Sequence, residues 1–570
     1  MTRHATDLPE LRRHIARHLD FAALKVCSLV CKAWYLDFHP LLWEWFTHRI
    51  PKNHSGPPEA YAAWVSIISK KAQFFRHIHH KEFRRSISPT IRDTLLDRCH
   101  GLITIEAFIT GGSTMETARY WEGTLRPLIE RNKTSLRRLQ LREATQISMT
   151  SLQLPSLLAG LSSLQSLELE LGAVSTLEDL FPILDACSTS LARLDLRTKL
   201  QRRMANQGDS AGDQENSLQS LTHQATTNTS PLRLKHLGIH GTCYDGTLEY
   251  ILSHVAFHSL ESLQVVSIEG KQFSQVPPTL RDTLSRLTDL RIDSVKRDPD
   301  LRESHTPFFP VLLGAIPPHQ LRKVRLDAME TMCIDLLIEQ QHQSLESLNV
   351  VVSKGHEEAL GDILATCRKI KSLNFGAEPK ADIRTLVDPQ RPWVCTELEN
   401  FEGHFGLYPP PPSLASIANN VGGRLGQMDE EAEEKDTISD PVTLDQGDPV
   451  EDLFMQRLGQ LTKLRRLVQS WDSLGHLFGD YPDYVKGETM AWALSSGLRH
   501  LAHLADLEWI EFLDLDLPAG IGIPELVFIK QHWLSLKGLS CNNMRAVEVQ
   551  EWLATEWPEL QVKRQQRFFI

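Results

Sequence analysis

The sequence has no long apolar run and no closely paired cysteines. Over 570 residues, no apolar stretch approaches the ~20 residues that a membrane-spanning helix needs, so we expect no membrane partner. The nine cysteines include no CxxC pair, which argues against a disulfide or zinc framework. The opening residues MTRHATDLPELRRH also lack the apolar core of a secretory signal. These absences predict a reduced protein of the cytoplasm and/or the nucleus.

Most of the chain carries no excess of either positive or negative charge. The net charge is −11, but residues 425–452 alone carry eleven acidic residues and one lysine. The remainder is nearly neutral and offers no basic field that would attract a polyanion. We therefore expect no nucleic-acid partner.

Catalytic signatures are absent as well. The sequence contains no nucleotide-binding glycine loop, no GxSxG and no HExxH. Its histidine cluster RHIHHK lies within residues 70–85, which carry six Lys or Arg and one Glu, and such cationic surroundings oppose a divalent metal. We interpret that segment as a helix with a solvated basic face and phenylalanines packed on the following repeats. The sequence predicts a protein that is not an enzyme, with no metal and no cofactor.

The N-terminal residues have the pattern of a small helical unit. Asp7 is a candidate helix cap before Pro9, and the apolar positions that follow are spaced along one helical face. Asp20 is a candidate cap for a second helix over 21–38, with a short third helix from His39 to about His48. The second helix is apolar almost all round, and about 40 residues cannot cover it. Its surface must be covered by the rest of this chain or by another protein.

The same residues resemble an F-box. The pattern "LPEL…I…L…L…VCKAW…LW" keeps that family's register over about 40 residues. The resemblance implies a three-helix unit that binds a Skp-type adaptor and, through it, a cullin–RING ubiquitin ligase. It assigns to the adaptor interface Leu8, Pro9, Leu11, Ile15 and Leu42. It assigns to the core of the three helices Leu19, Leu24, Val30, Cys31, Trp34 and Trp43.

Beyond residue 130 one phrase recurs: apolar, two variable, apolar, one variable, apolar. Its copies start at residues 136, 164, 191, 234, 260, 287, 321, 345, 370, 507 and 536, with weaker ones at 398, 464 and 560. Where no insertion intervenes, successive copies start 24 to 29 residues apart. Alternate residues of a strand point to opposite faces, so each phrase predicts a short strand with its leucines buried.

The period and the phrase resemble leucine-rich repeats. That resemblance implies an α/β fold in which a three-helix F-box precedes a curved leucine-rich-repeat solenoid, with parallel strands on its concave side and helices on its convex side. We predict roughly thirteen repeats. The predicted divisions are 1–50 for the F-box, 51–130 for a helical linker and N-terminal cap, 131–407 for repeats with a polar loop at 201–231, 408–453 for a Pro-rich and acidic disordered insertion, and 454–570 for C-terminal repeats and a cap.

The variable positions of the strands carry mixed charge, which favours a patterned protein surface as the partner. The candidate substrate-binding residues of this concave face are Arg138, Gln140, Glu168, Arg193, Asp195, Lys235, His236, Asp289, Arg291, Lys323 and Arg325. Thirteen strands spaced about 4.8 Å apart would line roughly 60 Å, enough for a standard protein interface.

An F-box followed by such repeats resembles the substrate-recognition subunit of an SCF-type ubiquitin ligase, with the F-box on the adaptor and the repeats on an unidentified target protein. The alternative is a non-catalytic leucine-rich-repeat scaffold that does not promote ubiquitin transfer, and the sequence does not separate the two.

Overall fold

The computed structural model describes residues 8–48, 58–80, 89–108, 118–144, 152–171, 177–198, 231–244, 248, 251–252, 254–256, 258–269, 278–292, 308–329, 331–352, 358–377, 381–403, 405–406, 449–469, 494, 497–512, 521–541 and 547–562. The chain divides into two compact units, Met1–Leu287 and Thr288–Ile570.

The first unit begins with three short helices: α1 (Pro9–Ala16), α2 (Phe21–Ser28) and α3 (Lys32–Leu42). Proline at the first helical position starts α1, and the Asp20 carboxylate caps α2 by accepting a hydrogen bond from the Ala23 amide at 2.7 Å. The predicted helix over 21–38 is wrong in its bounds, because Cys31 is extended and divides it into α2 and α3. The predicted cap Asp7 lies outside the described residues.

A parallel ladder follows within the first unit. Its strands are β1 (Trp45–His48), β2 (His77–His80), β3 (Thr104–Phe108), β4 (Arg138–Ala144), β5 (Ser166–Leu171), β6 (Arg193–Thr198), β7 (His236–Tyr244) and β8 (Ser262–Glu269). Each pairs in parallel with the next. The helices between them include α4 (Pro58–Lys71), α5 (Pro89–Arg98), Trp121–Leu125 continuing into Arg126–Arg131, Leu154–Ala159 and Leu177–Ala186, and Pro278–Leu284 follows β8.

The second unit repeats the arrangement. Its strands are β9 (Asp289–Ile292), β10 (Lys323–Met329), β11 (Ser347–Val352), β12 (Ser372–Ala377), β13 (Ala381–Asp382), β14 (Asn400–Gly403), β15 (Phe405–Gly406), β16 (Arg466–Gln469), β17 (Trp509–Phe512), β18 (Gly538–Cys541) and β19 (Gln561–Val562). Strands β13 and β15 form a separate pair, and the others form one parallel ladder. Its helices are Phe308–Ala315, Thr331–Gln341, Glu358–Thr366, Ile383–Leu386, Pro449–Gly459, Ile523–His532 and Val547–Glu556.

The recurring phrase predicts the strands from β4 onward, apart from the short β13–β15 pair. Each of these strands begins two residues after the first apolar residue of its phrase, except β19, which begins one residue after Leu560. Alternate apolar residues are buried in most of these strands, as for Leu139 and Leu141 of β4, whereas Val562 of β19 is exposed. The helical stripe Leu360, Ile363 and Leu364 is also fully buried against them, which confirms the predicted α/β repeat.

The ladder starts earlier than the predicted repeats. Strand β1 lies inside the predicted F-box, and β2 and β3 lie inside the segment predicted to be a helical linker and cap. The histidine cluster is therefore in strand β2, and the predicted helix over 70–85 is wrong beyond Phe74. Phe75 is nonetheless buried, as expected. These strands lack the leucine phrase because His, Thr, Glu and Trp occupy the outward positions and Phe, Ile or Ala the buried inward ones.

Two predicted insertions lie largely outside the described residues. Nothing of the polar loop 201–231 is described except Pro231, and the described part of 408–453 begins at Pro449. The acidic insertion ends sooner than predicted, because Pro449–Gly459 is a helix that buries Phe454 and Leu458. Within the described ranges, seven cysteines carry free thiols, and no helix is long and apolar enough to cross a membrane.

Candidate functional site

The three N-terminal helices enclose a very small core. Its buried members are Ala16, Leu24 and Phe38. Partly buried side chains of α2, α3 and the α1–α2 connection pack around them: Leu19, Cys27, Trp34, Leu41 and Leu42. The Trp34 and Phe38 rings stack with centroids 5.0 Å apart. A core of this size leaves most of the apolar surface of the helices outside it.

A buried ion pair joins α1 to α3. Arg12 Nε donates to Asp37 Oδ2 at 2.7 Å, and both side chains are less than 10% exposed. Arg13 Nε approaches the other carboxylate oxygen at 3.4 Å, but its own side chain is 64% exposed. Sequence reasoning missed this pair because Asp37 lies among apolar residues. Its i, i+4 spacing from Leu41, which packs against the core, was the signal that could have placed it inside.

The outer surface of these helices is strongly apolar. Leu29 is 76% exposed, and Phe21 and Val26 are each about two-thirds exposed. The other exposed large apolar side chains of the three helices and their connections are Leu8, Ile15, Val30, Tyr35 and Leu36. Clustered exposure of this kind marks a protein-docking surface. Within the described part of the chain, nothing packs over these side chains enough to bury them.

The residues that the F-box resemblance assigned differ in how far the structure buries them. Of the interface candidates, Leu8, Pro9 and Ile15 are exposed, while Leu11 and Leu42 are half-buried. Of the predicted core, Leu24 is buried, and Leu19 and Trp34 pack against the cluster. Val30 and Cys31 do not belong to the core: both are exposed, because they lie in the break between α2 and α3.

Trp43 lies at the junction with the repeats instead of in the helical core. Its indole Nε1 donates to His39 Nε2 at 3.2 Å, and Lys71 Nζ of α4 is 3.0 Å from the same histidine nitrogen. Burial and the nearby Lys71 ammonium lower the pKa of His39. The Arg76 amide donates to the Glu44 carbonyl at 2.9 Å, just before β1 pairs with β2. The three helices are thus continuous with the first strands of their unit.

The first ladder brings variable positions into a single row. His79, Glu106, Gln140, Glu168, Asp195 and Gly238 occupy matching register positions on β2 to β7. One flanking row holds Arg138, Arg193 and His236, and the other holds Glu170, Arg197 and His240, with Arg142 at a register shift of β4. Acidic side chains therefore occupy the middle of this face, and the side chains that flank them are mostly basic.

Glu168 holds two arginines from its neighbouring strands. Arg142 Nε donates to Glu168 Oε1 at 3.1 Å, and Arg197 Nε donates to the same oxygen at 3.0 Å. Arg138 makes a looser contact with Glu106, at 3.7 Å, and Glu106 also contacts His79. In these contacts the carboxylates are more buried than the arginines. Their charges therefore interact mainly with the arginines and little with solvent.

Asp195 is the most enclosed carboxylate of the face. It accepts hydrogen bonds from Arg193 Nε at 2.6 Å and His236 Nε2 at 3.1 Å, with His240 Nε2 at 3.5 Å. Burial opposes its charged form, but hydrogen bonds from His236, His240 and Arg193 outweigh burial and hold the pKa of Asp195 well below its ordinary value. A side chain at Gly238 would collide with it, since an added Cβ would lie 2.2 Å from Asp195 Oδ1.

The candidate residues of the concave face divide between the two units. Arg138, Gln140, Glu168, Arg193, Asp195 and His236 come together on β4 to β7, and Lys235 precedes β7 as an exposed side chain 3.3 Å from Glu261. In the second unit, Lys323 lies beside Asp289, and Arg325 beside Arg291. Gln140, Glu168 and Asp195 are buried, so they are poorly placed to contact a partner directly.

Sequence reasoning missed a polar groove in the second unit. Its volume is about 310 Å³, and it is lined across β11, β12, β14 and β16 by Ser347, Leu348, Asn349, Ser372, Leu373, Asn374, Asn400, Phe401, Glu402 and Arg466. The groove exists because short Ser and Asn side chains replace longer ones at matched register positions. The sequence signal was the phrase SLN, which occurs in both β11 and β12. In the ranges that the structure describes, no group of three His, Cys, Asp or Glu side chains could hold a metal ion.

The fold and these surfaces define a protein-binding repeat protein: an apolar three-helix unit joined to ladders of leucine-rich-repeat type. Residues 6–36 match the F-box domain family. The chain therefore carries an N-terminal F-box domain followed by leucine-rich repeats. This combination is typical of F-box/leucine-rich-repeat adaptor proteins.

Other comparisons are distant. No curated protein matches the chain. Among solved structures, the leucine-rich-repeat-containing protein LegL7 from Legionella pneumophila is 15% identical over 52% of this chain and 90% of its own, with a TM-score of 0.27. Rad7, in a complex with Elc1 from yeast, is 11% identical over 89% and 96%, with a TM-score of 0.35. The internalin InlF from Listeria monocytogenes is 15% identical over 58% and 81%, with a TM-score of 0.26. The repeat assignment rests on the ladder geometry.

Proposed function

We propose that this protein is the substrate-recognition subunit of an SCF-type cullin–RING ubiquitin ligase. Its F-box binds a Skp-type adaptor, and its repeats bind the protein to be modified. The protein catalyses nothing itself in this role. It raises the effective concentration of a target near the ubiquitin-charged enzyme, which is a proximity effect.

The exposed apolar surface of α1 to α3 is the observation that carries the proposal. In the described part of the chain, no neighbour covers Leu29, at 76% exposure, or Val26, at 65%. Full burial of a Val or Leu side chain is favourable by about 1.5–3 kcal/mol, so covering the exposed part of such side chains contributes about 1–2 kcal/mol each. Leu8 and Ile15, two of the interface candidates, are also exposed and add apolar surface at α1.

The strand faces support the second half of the proposal. They present fixed polar and charged side chains in register, and a target protein can be discriminated by such a pattern. The residues proposed for target contact are the exposed members, with Arg138, Arg193, Lys235 and Lys323 foremost.

A binding assay with purified Skp-type adaptor tests the proposal. The test variant combines Leu8→Ala, Ile15→Ala and Leu29→Ala, three exposed side chains whose truncation spares the core. A loss of about 3 kcal/mol, or roughly 100-fold in Kd, is expected from the lost apolar contact.

The second unit offers a matched control. Leu534, Val547 and Ile523 are also exposed apolar side chains, and their triple alanine variant should bind the adaptor like the wild type. Equal weakening in both variants, or a folded wild type that does not bind, would overturn the proposal. The chain would then be a repeat scaffold.

A further inference from the structure

The first ladder displays its charges unequally. The side chains of Glu106, Glu168 and Asp195 are only 5–15% exposed, whereas those of Arg138 and Arg193 are about half exposed. A partner that approaches this face therefore meets these guanidinium groups before it meets the three carboxylates. Residue counting misses this property, because the acidic and basic residues nearly balance in number.

The buried carboxylates position the basic groups. Arg142 and Arg197 converge on one oxygen of Glu168, and Arg193 is held by both oxygens of Asp195. A guanidinium has five N–H donors, so each arginine keeps donors for a ligand. Arginines that are already held in place lose less side-chain entropy when a ligand binds.

We infer that Arg138, Arg142, Arg193 and Arg197 bind an acidic segment of the target protein, rich in carboxylate or phosphorylated side chains. The inference rests on the proposed function, since it names the chemical class of the target that the repeats recognise. The arginines occupy β4 and β6, two ladder steps or about 10 Å apart, and each strand's pair is four residues or about 13 Å apart. One anionic group cannot reach all four, so the face suits several anions along a peptide.

Nucleic acid fits this face less well. The carboxylates behind the arginines cancel much of their long-range field, and the chain outside residues 425–452 is nearly neutral. What remains is short-range donor geometry, which favours directed hydrogen bonds to carboxylate or phosphate oxygens.

Fluorescence anisotropy with the full-length protein tests the inference. The probe is a fluorescein-labelled peptide of eight glutamates, with an eight-glutamine peptide as the neutral comparison. The variant Arg142→Gln/Arg197→Gln should weaken glutamate-peptide binding at least tenfold. Arg138→Gln is a second variant whose fold is secure, because Arg138 makes only a 3.7 Å contact with Glu106 and a 3.5 Å hydrogen bond to Gln140, and it should weaken binding several-fold.

The matched control removes two charges elsewhere in the same unit. Arg92 of α5 and Arg126 are also partly exposed and paired with carboxylates, so Arg92→Gln/Arg126→Gln should leave the affinity within twofold. Equal weakening in both double variants would show non-specific attraction and overturn the inference. Absence of binding by the wild type, or tighter binding of a DNA oligonucleotide than of either anionic peptide, would also overturn it.

Two further arms distinguish related outcomes. A peptide with phosphoserine in place of glutamate identifies which anion the arginines prefer. Preference for either peptide supports the inference if Arg142→Gln/Arg197→Gln abolishes that preference. Adaptor binding is measured on the same samples. Peptide binding without adaptor binding would refute the ligase role alone, and adaptor binding without peptide binding would refute this inference alone.

Discussion

The F-box should depend on the ion pair between Arg12 and Asp37. The substitution Asp37→Ala removes a carboxylate that is 7% exposed and lies 2.7 Å from Arg12 Nε. Removal of one partner of a buried ion pair typically costs about 3–5 kcal/mol, because the remaining charge stays in a poorly solvated place. A single core in a domain this small supplies only about 3–5 kcal/mol, so the loss is comparable with the whole stability of the three helices.

Hydrogen exchange measured by mass spectrometry can localise this loss. In Asp37→Ala, amide protection in α1 and α2 should fall by at least about 100-fold, since every 1.4 kcal/mol changes an equilibrium tenfold. Protection in the second unit, for example in β11 and β12, should not change. Adaptor binding should be lost together with the protection of the helices.

Two controls isolate the buried pair. Arg13 also approaches Asp37, at 3.4 Å, but it is 64% exposed, so Arg13→Ala should cost less than about 1 kcal/mol. The double variant Arg12→Met/Asp37→Leu replaces the pair with apolar side chains and should restore most of the protection. If Asp37→Ala left protection within tenfold of the wild type, or if Arg13→Ala were equally harmful, the reasoning would be refuted.

Three further predictions concern single sites. Gly238→Ala should destabilise the first unit by about 2 kcal/mol in a urea titration, because the added Cβ would lie 2.2 Å from the Asp195 carboxylate. Its control is Gly123→Ala, which has open space at the added Cβ and should be neutral or slightly stabilising. Asp195→Asn should lower the free energy of unfolding at pH 7. The difference from wild type should persist down to about pH 5 and shrink below about pH 4, because a carboxyl whose pKa is lowered by folding stabilises the fold only while the same carboxyl of the unfolded chain is ionised. A thiol reagent should label exposed Cys31 quickly in the native protein but not Cys99, which is buried and whose pKa burial raises to about 12. Peptide-resolved mass spectrometry measures the two labelling rates, and bound adaptor should slow the labelling of Cys31.

The sequence predicts the repeat strands well because their physics is local. Each strand needs two inward apolar residues at a spacing of two, and this pattern is present in every strand from β4 to β12. The first three strands meet this requirement only in part: Phe46 and Ile78 are each followed two residues later by a histidine, and Ile105 is followed by Ala107. Their membership of the ladder comes from pairing with neighbours more than 20 residues away, which periodicity alone does not reveal.

The candidate surfaces were less predictable, because exposure depends on distant contacts. Val30 fits the family pattern of a core residue, yet the break between α2 and α3 turns it outward. Asp195 alternates correctly with buried leucines, so its face could be predicted. Its burial could not, since it depends on a glycine and two histidines of β7, about 40 residues later.

The junction between the F-box and the first strands bears on how a bound target would be presented. Glu44 and β1 follow α3 directly, and backbone hydrogen bonds from Arg76 and His77 to Glu44 tie that segment to β2. Side-chain contacts among Trp43, His39 and Lys71 stabilise the same junction. A proximity effect is strongest when the linked elements are held in a fixed geometry, since each loose connection dilutes the effective concentration. The surface proposed for the adaptor and the arginine-bearing face of β4 to β6 are therefore joined by continuous hydrogen-bonded structure, as the proposed receptor role requires.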